Sequence, residues 1–398
     1  MANTIEPLSG QRISSIDLLR GAVMVIMALD HVRDYFGHGA WTSDPTDLAT
    51  TTPALFFTRW ITHYCAPVFV FLSGASAFLY GSRAKSTAAL SRFLLTRGLW
   101  LIAMELTVIG FGWSFDILLR WHMLQVIWAI GISMVVLSAL VFLPRWAILV
   151  LGIVLVGGHN LLDPITTEGE SWTSIAWYVL HQGNLVQGDG WIIFIGYPVL
   201  PWIGLMALGY SFGRLYAPTV AAADRRRTLL WIGSGAVALF ILLRALNNFG
   251  ESWHWEPQKN AVFQVMSFLN TTKYPPSLLY VLMTIGPAIL FLAWSEQWRG
   301  RTVTALVNIG RVPFFYYVLH IYLIHALALI GVAAQGRPIS DFVVTPQVFL
   351  GDSLATYGYP LWAVYAVWIG VVLALYPLCR WYGDYRARHR EKWWLSYL

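Results

Sequence analysis

The sequence is poor in charge and nearly free of cysteine. Asp, Glu, Lys and Arg make up 12% of its 398 residues, and only two cysteines are present. So little charge excludes a soluble globule. Cys65 and Cys379 fall at different expected depths in a bilayer, so no disulfide is expected; neither points to a metal site, and no metal is expected. No linker, low-complexity run or soluble domain is visible, and there is no basic-aromatic motif for RNA. The net charge of +6 therefore reads as membrane topology and contact with anionic lipid, with no nucleic-acid partner. The first apolar span lacks a small-residue cleavage site and holds Asp30 and His31 near its far end, so it is expected to stay in the mature protein.

What the chain has is apolar surface: 57% of residues are hydrophobic and 15% are Phe, Trp or Tyr. Runs of about 20 apolar residues, each long enough for a hydrocarbon core of about 30 Å, recur along the whole length. About ten are expected, near 16–36, 56–80, 93–114, 122–143, 146–162, 191–213, 228–248, 276–296, 304–331 and 361–382. The expected fold is all-α: one polytopic bundle spanning 1–398 as a single transmembrane domain. Threaded alternately, these spans put most of the 26 Lys and Arg on one side, including Arg12, Arg83, Arg97, Arg145, Arg225, Arg226, Arg227, Arg386 and Arg390. That side is the cytoplasm by the positive-inside rule, which places both termini there. A homodimer is compatible with the sequence.

Ionisable residues inside such spans are costly and mark candidate sites. The first span carries Arg20, Asp30, His31 and Asp34. Entering near Ile16, it puts His31 about 22 Å deep. By the same arithmetic Glu105 in the third span lies about 20 Å deep, and in the ninth Arg311 about 10 Å and His320 about 24 Å. His31, Glu105 and His320 are thus expected to converge in the outer half of the membrane, with Arg20 and Arg311 nearer the cytoplasm. Cations at an inner mouth suit phosphates, and imidazoles above them suit proton transfer. Asp34, one turn from His31, is better placed than Asp30 to orient it. Each has a plainer reading: His31 as an interhelical hydrogen bond, Glu105 and His320 as pairs with neighbouring helices, and Arg20 snorkelling to headgroups. His63 and Lys273 are weaker candidates; His122 and His325 read as interfacial. Trp41 and the other outer-loop tryptophans read either as an interfacial belt or as platforms for sugar rings.

Several segments carry a resemblance. Ser15-Ile16-Asp17-Leu18-Leu19-Arg20-Gly21 with His31 looks like the first-helix signature of transmembrane acyltransferases. Phe36-Gly37-His38-Gly39-Ala40-Trp41, Ala66-Pro67-Val68-Phe69-Val70-Phe71-Leu72-Ser73-Gly74 and Met123-Leu124-Gln125 are similar to the group containing the heparan-alpha-glucosaminide N-acetyltransferase catalytic domain. Asn270-Thr271-Thr272-Lys273-Tyr274-Pro275-Pro276 and Gly310-Arg311-Val312-Pro313-Phe314-Phe315 resemble its bacterial branch, which implies the bacterial inner membrane. The resemblance implies transfer of an acetyl group from cytoplasmic acetyl-CoA to an extracytoplasmic acceptor, a glucosamine amine in the lysosomal relatives. Their catalytic histidine lies in a His-x-x-Trp segment, whose place His38 and Trp41 take here. They have asparagine at the His31 position, where the polysaccharide O-acyltransferase branch has histidine. Both imidazoles stand as candidate bases.

The chemistry needs a base for the attacking amine or hydroxyl, dipoles for the oxyanion, and exclusion of water. Neutral histidine supplies the first at ordinary pH. A sugar or glycan acceptor and an acyl-CoA donor are the expected partners, along with the bilayer. A secondary transporter, or a flippase for an envelope polymer, is the competing class. No inverted repeat supports it.

Overall fold

The computed structural model describes residues 14–389 and 391–396. Arg12 and Arg390, assigned to the inner face from the sequence, lie outside them. The chain opens with α1 (Ser14–Phe36), then α2 (Pro53–Thr62) and α3 (Cys65–Gly81). Helix α4 (Thr87–Met104) passes through a π-turn (Glu105–Ile109) into α5 (Gly110–Ser114). Strand β1 (Trp121–Leu124) leads into α6 (Val126–Leu140), α7 (Arg145–Gly158) and α8 (Trp172–Trp177). Strands β2 (Asn184–Gly188) and β3 (Trp191–Ile195) precede α9 (Val199–Phe212), α10 (Ala222–Leu246) and α11 (Ala261–Leu269). Then follow α12 (Leu278–Ser295), α13 (Arg301–Gly310), α14 (Pro313–Ala334), α15 (Pro346–Leu350) and α16 (Leu361–Arg388).

Among the described residues, seven helical segments are long and apolar enough to cross a membrane: 53–81, 87–114, 145–162, 222–246, 278–295, 313–334 and 361–388. The other three expected spans correspond to α1, α6 and α9, and each fails that test for a visible reason. Helix α1 has the length, 23 residues, but contains Asp17, Arg20, Asp30, Arg33 and Asp34. Helices α6 and α9 are only 15 and 14 residues long. The first residues of those two expected spans are instead strands: β3 is the middle of a three-stranded sheet, parallel to β1 and antiparallel to β2. The expectation of an all-α fold is corrected to this extent. The span expected over 304–331 is also broken. Helix α13 ends at Gly310, and Pro313 starts α14 at a position where its missing N–H costs nothing.

Glycines set the helix spacing. A Cβ on Gly21 of α1 would lie 1.9 Å from the Leu306 carbonyl oxygen of α13, and one on Gly310 would lie 1.9 Å from that of Asp17. Gly74 of α3 and Gly209 of α9 meet the same way, at 2.1 Å from Met206 O and 2.0 Å from Phe71 O. Small residues at membrane helix crossings admit this backbone approach, so that dispersion contacts hold the bundle where no hydrophobic effect can. The glycine that follows Arg20 thus has a packing reason.

Candidate active site

Five of the residues picked from the sequence meet at one cavity of about 320 Å³, whose lining includes Asp30, His31, Asp34, Trp41 and Lys273. Its other walls are largely aromatic, with Trp113, Trp121, Phe194, Tyr197 and Phe349. Helix α1 places His31 and Asp34 on one face, three residues apart.

His31 is buried and its Nδ1 lies 2.7 Å from Nε2 of His320 on α14. His320 Nδ1 in turn lies 3.1 Å from the Tyr316 carbonyl oxygen. A carbonyl only accepts, so His320 Nδ1 carries the hydrogen and, in the neutral ring, Nε2 is an acceptor. His31 Nδ1 must then donate to it, which leaves the lone pair of His31 on Nε2. Rings of Trp113 and Tyr317 meet His31 edge-on, at centroid distances of 4.9 and 6.2 Å. The expected meeting of His31 with His320 is present.

The expected orientation of His31 by Asp34 is corrected. Asp30 and Asp34 both accept from Arg33 Nη2, at 2.8 and 2.6 Å, and Asp30 also accepts from Arg59 Nη1 of α2. Charge-assisted bonds to guanidinium outcompete a neutral imidazole for the carboxylates. Buried Asp30, half-buried Asp34 and two arginines thus hold one another beside His31, while His320 orients its ring.

Arg59, Lys273 and Tyr274 line this cavity and also a second, of about 600 Å³, which is lined further by His63, Arg244 and Asn270. Lys273 is buried, with its Nζ 4.9 Å from the centre of the Tyr274 ring. The loop that carries it is clamped twice. Buried Arg244 donates to the carbonyls of Trp253, Ser267, Phe268 and Asn270 at 2.7–3.0 Å. Buried Glu251 accepts from the Thr272 N–H and hydroxyl and from the Ser277 hydroxyl.

A separate cavity of about 110 Å³ is lined by Arg20, Arg97, Ser73, Phe314 and Tyr317 among others. Arg20 bonds Asp17 and Ser76, each at 3.0 Å, and so ties α1 to α3. Arg311 is corrected in depth. It is exposed at the break between α13 and α14, and its carbonyl accepts from Arg386 of α16 at 2.8 Å. Glu105 is also corrected: it does not join the histidine pair but accepts from the Gln125 N–H at 3.1 Å, capping the start of α6 where the helix dipole favours an anion.

His38 is exposed and lines a separate cavity of about 160 Å³, beyond Arg33. Its backbone N–H donates to Tyr359 O. His63 is buried against the Tyr280 ring, 5.4 Å between centroids. His325, expected at an interface, lies in the core between the carbonyls of Gly112 and Phe342 at 2.8 and 2.7 Å. Sequence reasoning missed Arg33, Arg59 and Arg97 as site residues, treating them only as counters of topology. The signal was available for Arg59: an arginine at the outer end of a span, level with Asp30, needs an acidic partner.

The catalytic-domain profile of heparan-alpha-glucosaminide N-acetyltransferase matches residues 12–244. The chain belongs to that family. Family membership makes it a transferase of the acetyltransferase kind, with acetyl-CoA the donor in general, and the apolar helices fit an integral membrane protein. No curated protein matches the chain. The matched residues include Arg20, His31, His38, Arg59 and Arg97, whereas Lys273 and His320 lie beyond them.

Proposed function

We propose that the chain is a ten-span, single-domain acyltransferase that takes an acetyl group from cytoplasmic acetyl-CoA and delivers it to an amine or hydroxyl of an extracytoplasmic sugar, with His31 as general base. The observation that carries this is His31 on the cavity wall, paired with His320, whose tautomer the Tyr316 carbonyl fixes. Histidine with a free Nε2 lone pair has the form a base needs. Aromatic walls suit the apolar faces of a sugar ring.

CoA approaches through the cavity of Arg20 and Arg97. These two cations, with exposed Arg311, meet its phosphates. The acceptor comes through the larger outer cavity past Lys273. Its neutral amine or hydroxyl attacks the thioester carbonyl while His31 Nε2 takes the proton, so the N–C or O–C bond forms. Arg59 and Lys273 favour the oxyanion. The intermediate collapses with loss of the C–S bond, and the proton passes from His31 to the CoA thiolate. His320 accepts from His31 Nδ1 throughout and holds the ring. His38 stands apart from this route.

His31→Ala is expected to lower transfer by about 10²–10⁴-fold while acetyl-CoA still stabilises the detergent-purified protein in a thermal melt. His320→Ala should lower turnover less and leave the acetyl-CoA shift intact. Normal turnover by His31→Ala would sink the base assignment. Absence of any melt shift with millimolar CoA species would remove the donor, and the transporter reading would take its place.

A further inference from the structure

The expectation of no metal weighed only the cysteines. Away from the acyl-transfer cavities, two segments bring together His159, Asp163 and His181, with one donor atom from each lying within 4.8 Å of the other two. His159 and Asp163 sit at the end of α7, and His181 in the π-turn of residues 178–182 that follows α8.

Both histidines are 98% buried, at 2% relative exposure. Neither ring nitrogen of His159 has a hydrogen-bond partner, and Nδ1 of His181 has none either. The Pro276 carbonyl faces His159, yet neither ring nitrogen completes a bond to it. A buried polar group left without a partner is costly, so three such nitrogens in one place need an explanation. His181 Nε2 lies 3.0 Å from Asp163 Oδ1. The other carboxylate oxygen, Oδ2, is taken by Asn160 at 2.9 Å and Ser252 at 2.5 Å, which fixes Oδ1 toward the imidazoles. Ligand carboxylates held from behind by hydrogen bonds are the usual arrangement around a metal.

The geometry points to a divalent transition-metal site, with Zn²⁺ the ion that fits best. Two imidazoles and one carboxylate are a borderline-soft donor set, and three protein ligands leave a fourth tetrahedral position for water. Ca²⁺ and Mg²⁺ would want more oxygen ligands than this site has. The role that follows is structural. Asp163 is already bonded to Ser252, and Asn160 Oδ1 accepts from the Leu278 N–H. An ion here would staple the end of α7 and the 178–182 turn to both ends of the loop that carries Lys273.

The test uses the full chain in detergent, stripped with chelator and titrated with Zn²⁺ alone against a chromophoric competitor. One Zn²⁺ per chain is expected, with a raised melting temperature and at least about 100-fold weaker binding in His159→Gln and Asp163→Asn. X-ray absorption of the wild-type ion, which does not depend on any variant folding, should show two imidazoles in an N/O shell. The proposal is overturned if stripped wild-type protein takes up no stoichiometric Zn²⁺, if both variants bind it as wild type does, or if the absorption spectrum lacks imidazole.

Discussion

Helices α1 and α16 are both long enough to span a bilayer, and they are built on opposite terms. In α1 most of the helix is buried, including Asp17, Asp30, His31 and Arg33. In α16, 28 residues long, only Val364, Val371, Leu375, Cys379 and Tyr382 are buried, and 17% of its most apolar window is covered by the rest of the chain. Hydropathy is highest where a helix faces lipid, because nothing else offsets a polar group there. A helix wrapped by protein can satisfy charges internally. The helix that carries the candidate chemistry is accordingly one that a hydropathy test passes over.

The sharpest way to break this contrast is through glycine. Gly21→Val puts side-chain atoms into the α13 backbone, and loss of the folded monodisperse peak in size-exclusion chromatography is expected. Gly370→Ala in α16, where an added Cβ meets nothing within 4 Å, should elute and melt as wild type. Equal behaviour of the two would show that close helix crossing does not hold α1. A smaller effect is expected from Asp30→Ala, which takes from Arg59 the carboxylate it bonds, leaves Arg33 with Asp34 alone, and should cost about 3–5 kcal/mol in denaturant titration. Recovery of most of that loss in the Asp30→Ala, Arg59→Ala double variant would confirm the unpaired charge as its cause; full additivity would refute it. Smaller still, His38→Ala is expected to change turnover by less than about threefold, against at least about 10²-fold for His31→Ala. The reverse ranking would move the base to the exposed imidazole.

The smallest effect concerns the turn before β1. Burial alone would raise the Asp116 carboxyl, but the Arg120 side chain and the backbone N–H groups of Arg120 and Leu118 hold it below the usual carboxylate range. Its contribution is therefore complete above the unfolded value near about 4 and fades as pH falls through the lower folded value. Asp116→Asn should melt below wild type at pH 7, and the gap should close toward acid. A gap that persists at low pH would assign the effect to shape.

Depth was legible in the sequence, and direction around the helix was not. Counting residues from the inner ends placed His31 and His320 at nearly equal depth, and the two rings meet across 289 positions of sequence. The same count placed Glu105 alongside them, yet its carboxylate turns to the Gln125 N–H, a difference of azimuth that a rise per residue cannot supply. Short apolar runs were ambiguous too. Residues 122–124 and 191–195 read as helix starts because runs this short carry no period of their own, and pairing with each other made them strands. The break at Arg311 did have a written signal in Pro313. Arg59 was hidden for a different reason: assigned to a loop-side tally, it was never asked which acid it meets.

Arg59 and Lys273 stand where the outer cavity gives way to the inner one. The charge at this doorway is in part already met, because the Arg59 guanidinium is held by the Asp30 carboxylate. On the proposed route, an acceptor crossing it exchanges hydrogen bonds with a polar threshold whose arginine is neutralised in advance.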